Sequence, residues 1–437
     1  MGESDEKIKF YVATHQIKVL WKLRYVKIII SVFALIITGI LLLVRHNVWK
    51  RDGYIVNEAL YLADGENIYA FIETDSIDYR EIRDEICNGN ADDVKARCEN
   101  LKAPKDAPEQ YAAVQNILGI TEIYLGEYEQ AYEHFIRTIN YVNNNPISQK
   151  ERILAVLHNN AGALAMNQNW FDIWDTHMNQ AAGFCEDPYM VLTVELNREI
   201  RVEGMEKTEY GRLVGRMVRI IRRERQIKGT TGLIGYEAAS HMAIGYGMCG
   251  KVKKGIRILN RYISLIPDIP EYNMLRALLF ADKGTLYQMG KKFEKASESL
   301  NIAITEAGKT VNERSVIMSG YYIKLAQIYR DLFDWKNEFL CVKRAMRGAR
   351  YAAPDWKGAV CLLMADAYRM FDEKEQAKEY MLKSYLYYQR LGEGYGDEAL
   401  SMLWRIFDIR KYGEANFKKW VEDELENVDI EDEVDFR

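Results

Sequence analysis

The stretch LGITEIYLGEYEQAYEHFIRTI, residues 118–139, decides how this chain reads. Its apolar residues recur at spacings of three and four, the helical period, and strand-like alternation is scarce. Leu118 is followed by the small Gly119, a break falls at Gly126, and Tyr128, Ala131 and Phe135 resume the pattern. Two antiparallel helices joined by a short turn are predicted. The small residue lets the helices approach, and the aromatics fill the layer beside them. One such pair cannot bury its apolar face alone, so it demands neighbours.

Four further stretches have the same layout: MAIGYGMCGKVKKGIRILNRYISLIP (242–267), KGTLYQMGKKFEKASESLNIAI (283–304), LAQIYRDLFDWKNEFLCVKRAM (325–346) and MADAYRMFDEKEQAKEYMLKSY (364–385). Their carriers include Met242, Ala243, Tyr246 and Gly250, then Gly284, Tyr287, Phe293 and Ala296. Leu325, Ala326, Tyr329 and Trp335 follow, and after them Ala365, Tyr368 and Ala377. These residues resemble the tetratricopeptide repeat family. Departures are Glu122, where an aromatic is usual, and Gly255 and Glu338, which replace the small alanine. The resemblance implies a right-handed α-solenoid with a groove lined mainly by first helices. Weaker units at 150–183, 187–228 and 397–427 bring the expectation to about eight hairpins over 111–427. Residues 45–110 read as an acidic, helix-rich connecting region or N-terminal cap, and 428–437 as an acidic tail.

Near the N-terminus, Ile28–Val44 reads IIISVFALIITGILLLV, without a charge and flanked by Lys27 and Arg45. At ~1.5 Å per residue it reaches roughly 25 Å, and the flanking cations can snorkel to extend it. No small-residue cleavage site follows. The expected fold class is therefore all-α, a right-handed α-solenoid of tetratricopeptide-like hairpins preceded by one transmembrane helix at 28–44. Lysines crowd the basic segment 1–27, which places the N-terminus in the cytoplasm and the repeats outside it.

Chemistry is sparse. No metalloprotease, hydrolase or phosphate-loop signature is present, and no two of the six histidines lie three or four apart. The six cysteines form no Cys-x-x-Cys pair. No enzymatic activity, cofactor or metal is expected. The formal charge of −5 is mild and argues against a nucleic-acid partner. Its distribution is uneven, because residues 205–262 hold thirteen Lys/Arg against four Asp/Glu. Within that block Arg212, Arg216, Arg219, Arg222 and Arg223 form a candidate anion-binding strip, suited to an acidic peptide, an anionic envelope polymer or lipid head groups. Position in the repeat nominates Asn116, His158, Gly162, Ser240, Gln327, Arg330, Asp366 and Arg369 as groove residues. The Lys/Asn set with which one subgroup of the family clamps terminal carboxylates is not present as a set. The expected function is a membrane-tethered scaffold that binds a peptide or protein partner in the groove on the extracytoplasmic side. Its alternatives are a cytoplasm-facing adaptor resembling import receptors, and a binder of anionic envelope polymers.

Overall fold

The computed structural model describes residues 56–65, 67–100, 107–168, 170–199, 207–313, 315–349, 352, 354–389, 399–401, 403, 413–425 and 428. The chain divides after residue 55, and all described residues belong to the second unit, Val56–Arg437.

Helical hairpins follow one another from residue 108. The pairs are α3 (Pro108–Leu125) with α4 (Tyr128–Asn144), α5 (Lys150–Asn167) with α6 (Phe171–Phe184), and α7 (Pro188–Glu199) with α8 (Lys207–Lys228). Next come α9 (Leu233–Met248) with α10 (Val252–Ile263), α11 (Asn273–Met289) with α12 (Phe293–Ala307), α13 (Val316–Asp331) with α14 (Trp335–Ala349), and α15 (Pro354–Met370) with α16 (Lys374–Gln389). Helix α17 (Glu414–Leu425) follows. Two short helices, α1 (Tyr79–Cys87) and α2 (Ala91–Asn100), precede the array.

Five of the intra-hairpin turns share one geometry. A left-handed residue stands at Gly126, Gly250, Lys291, Phe333 and Asp372. The next N–H then bonds back five residues, as in Glu127 to Glu122, Lys251 to Tyr246 and Asp334 to Tyr329 at 2.8–2.9 Å. Close approach within a hairpin follows the small-residue rule. A Cβ on Gly119 would lie 2.6 Å from the Phe135 ring. Packing of this kind, repeated hairpin on hairpin, makes an all-α helical repeat.

Two expectations are corrected. Among the described residues, no helix is long and apolar enough to cross a membrane. The single-pass localisation and the transmembrane element of the fold class therefore lose their support. Residues 28–44, on which they rested, lie outside the described residues, as do 1–27 and 429–437. The second correction concerns residues 56–72, within the region read as helix-rich. They form a single 3-10 turn (Glu58–Leu60) and an antiparallel β-hairpin, β1 (Tyr61–Ala63) with β2 (Ile68–Ala70). The register pairs Tyr61 with Ala70, Leu62 with Tyr69 and Ala63 with Ile68. Asp64 and Asn67 close the turn, with Asn67 N–H donating to Asp64 Oδ1 at 2.7 Å and Gly65 at φ +96°. Asp-Gly between apolar stretches is a hairpin signal. All six strand residues are buried.

Candidate functional site

The hairpin lies against the wall made by the first helices α3, α5 and α7. In an antiparallel pair, alternate residues turn their N–H and C=O groups away from the partner strand. In β2 those residues are Ile68 and Ala70. The wall meets them with asparagine amides.

Ala70 N–H donates to Asn160 Oδ1 at 2.9 Å, and Ala70 C=O accepts from Asn160 Nδ2 at 2.8 Å and Asn116 Nδ2 at 3.0 Å. Ile68 N–H donates to Asn197 Oδ1 at 3.1 Å, and Ile68 C=O accepts from Asn197 Nδ2 at 2.8 Å and Asn159 Nδ2 at 3.1 Å. The amides also bond to one another. Asn197 donates to Asn159 at 3.0 Å, Asn159 to Asn160 at 3.2 Å, and Asn160 to Asn116 at 2.8 Å. All four asparagines have zero exposure. Asn160 and Asn197 thus each present one acceptor and one donor to the N–H and C=O of a single residue, as a neighbouring β-strand would. The mutual bonds fix which way each amide faces.

Further contacts hold the hairpin in place. The Tyr124 hydroxyl donates to Ala63 C=O at 2.8 Å. Asn167 Nδ2 donates to Asp64 Oδ2 at 2.9 Å, and the Tyr69 hydroxyl donates to the same oxygen at 3.0 Å. Burial, with Asp64 adding to it, pushes the Tyr69 phenol well above its ordinary range. At the tip, a Cβ on Gly65 would meet Met274 C=O at 3.2 Å, so the hairpin reaches α11. At the start, Glu58 pairs with Lys228. Beside that pair lies Glu224, which accepts from the Tyr189 hydroxyl at 3.2 Å and from Gly232 N–H at 2.9 Å. Burial raises the Glu224 carboxyl to about 7 despite these bonds. After the hairpin, residues 73–78 lead to α1, where Arg83 donates to Glu58 C=O at 2.8 Å and pairs with Glu271 at 3.1 Å. Helix α2 docks through Lys95, which lies 3.6 Å from the buried Glu122 and also pairs with Glu127. A carboxylate thus stands at the aromatic position of the repeat because a cation from the preceding segment meets it.

The residues nominated from sequence fall in different places. Asn116 belongs to the amide row. His158 turns toward α6, its Nδ1 2.8 Å from His177 Nδ1, and burial lowers its pKa to about 4, the neighbouring imidazole adding to the effect. Gly162 sits under Met178 of the paired helix. The Ser240 hydroxyl donates to Asp282 at 2.5 Å. Gln327 is exposed. Arg330 joins Glu338 at 2.6 Å and Asp366 at 2.9 Å, and Arg369 also pairs with Asp366 at 2.7 Å. Of the arginine strip, Arg216 pairs with Glu199 and Arg223 with Glu195, each at 2.5 Å. Arg212, Arg219 and Arg222 are exposed. Helix α7 thus supplies counter-charges that a reading of α8 alone does not contain.

Asn159, Asn160 and Asn197 were missed as a set. A signal existed, because Asn116 and Asn159 each stand three residues before the close-approach glycine of their helix, Gly119 and Gly162. Among the described residues, no group of three or more His, Cys, Asp or Glu is arranged to hold a metal ion.

No family model matches the chain, and no curated protein matches it. Solved structures do. A Rap protein complexed with Competence and Sporulation Factor is 12% identical, with 78% of this chain and 97% of that one covered at a TM-score of 0.45. NprR in complex with its cognate peptide NprX is 10% identical, with 78% and 100% covered and a TM-score of 0.46. BtubC from P. vanneervenii is 12% identical, with 61% and 92% covered and a TM-score of 0.34.

Proposed function

We propose that the protein is an interaction scaffold whose first-helix wall receives an extended polypeptide. One observation carries this reading: mutually bonded amides on α3, α5 and α7 pair with both backbone groups of Ile68 and of Ala70. Such a row has the donor–acceptor pattern of a strand edge, so what it recognises is backbone in the extended state. The strand it holds is the chain's own. The arginine strip supports no second reading, since Glu195 and Glu199 already answer two of its five charges.

The test uses the exposed link between β2 and α1. A protease site inserted between Asp75 and Ser76 is cut after folding. The N-terminal fragment is expected to stay bound, and Asn160→Ala is expected to speed its release at least tenfold. Release at equal rates from both proteins would contradict the reading.

A further inference from the structure

The polar contacts to Ile68 and Ala70 are made to the backbone, which every polypeptide carries. A site built this way is selective for conformation more than for sequence. The amides are also held in place by one another, so the wall keeps its pattern whichever strand lies on it. An unoccupied wall would open its amides to water and give up the burial of the strand's apolar side chains, which disfavours the empty state.

The resident segment is secured differently from the core of the array. Its start is fastened by the Glu58–Lys228 ion pair beside the buried Glu224 carboxyl. Its end runs into a link whose Glu73, Asp75, Ser76 and Asp78 are exposed. A covalently tethered strand has an effective concentration in the millimolar range, so it outcompetes a free peptide at micromolar concentration while its fastening holds.

Building on the proposed strand-receiving role, we infer that segment 56–72 is an intramolecular competitor, and that an extended strand from another polypeptide replaces it on the asparagine row once the Glu58–Lys228 fastening is broken. The incoming strand needs a free N–H and C=O at two alternate positions. It also needs an apolar residue that can be buried where Ala70 now lies.

The probe is a fluorescent peptide with the sequence of residues 60–73, which lacks Glu58 and so is not repelled by the variant below, added to the full-length protein. The wild type is expected to take up none. Lys228→Glu, which sets a third carboxylate beside Glu58 and Glu224, is expected to bind one peptide per chain. Adding Asn160→Ala should weaken that uptake at least tenfold, and a peptide carrying Ala70→Pro, which lacks the N–H, should not bind. A folded Lys228→Glu protein that leaves the peptide free would overturn the inference. The proposed function would survive that result if the cut wild type still retained its fragment in an Asn160-dependent way. Should Lys228→Glu fail to fold, the cut wild type is given a hundredfold excess of peptide. Displacement of the fragment then supports exchange, and its persistence makes the segment a permanent part of the core and overturns the inference.

Discussion

The two ends of the array solve the same problem by different means. Along α3, α5 and α7 the first helices stand against a foreign element, a β-hairpin, and contact it through asparagine amides. Along α13 and α15 the polar residues stand farther along the helix and pair with charged neighbours. Arg330 lies between Glu338 and Asp366, and Arg369 turns back onto Asp366. The first arrangement is neutral, fully buried and aimed at backbone. The second is ionic, partly exposed and satisfied within the helices. Repeat type alone therefore does not say whether a first-helix wall receives anything. The polar chemistry at the inward positions does.

The comparison is broken most severely at Asn160. Its removal leaves the Ala70 N–H without an acceptor and takes one partner each from Asn116 and Asn159. At 1–3 kcal/mol per stranded buried group, Asn160→Ala is expected to cost on the order of 4 kcal/mol in chemical denaturation.

A pH dependence comes next. The Glu224 carboxyl is raised from 4.5 to about 7 by burial. Its proton is held more tightly in the folded state, so its favourable contribution is complete below pH 4.5 and is lost as pH rises through 7. A shift of that size corresponds to on the order of 3 kcal/mol. Glu224→Gln, which keeps an acceptor for Gly232 N–H, should flatten this decline between pH 4.5 and 8. Denaturation midpoints of the two proteins across that range check it.

Close approach gives a smaller effect. Gly119→Val drives a side chain into the Phe135 ring and should cost about 2 kcal/mol through overpacking. Smallest is the ionic end. Arg330 is about one-third exposed, and Arg330→Ala is expected to cost about 1 kcal/mol, mostly by stranding the buried Glu338 carboxylate. A loss at Arg330 equal to that at Asn160 would erase the distinction between the two ends.

The helical repeat was legible because its signals are local. Gly119 and Phe135, or Gly126 and the turn it makes, lie within one hairpin and repeat along the chain. The β-hairpin was harder to see. Three-residue strands are too short to display a period, and the apolar run around YLADGENIYAFI reads equally as helix. Asp64-Gly65 was the discriminating signal. The amide row was only partly visible. Asn116 could be nominated from its place in the helix, but the roles of Asn159, Asn160 and Asn197 depend on a strand that arrives from 90 to 129 residues away in sequence. Distance also explains the arginine strip, whose counter-charges Glu195 and Glu199 sit on the neighbouring helix.

Hydrogen exchange at the amides of Ile68 and Ala70 tests the central claim most directly. Both N–H groups donate to side chains, to Asn197 and Asn160, and neither donates to another backbone group. If the asparagine row holds the strand, both amides exchange as slowly as those of α5. Asn160→Ala then speeds Ala70 far more than Ile68. Exchange of both amides at the rate of the open 73–78 link in the unaltered protein would contradict the account.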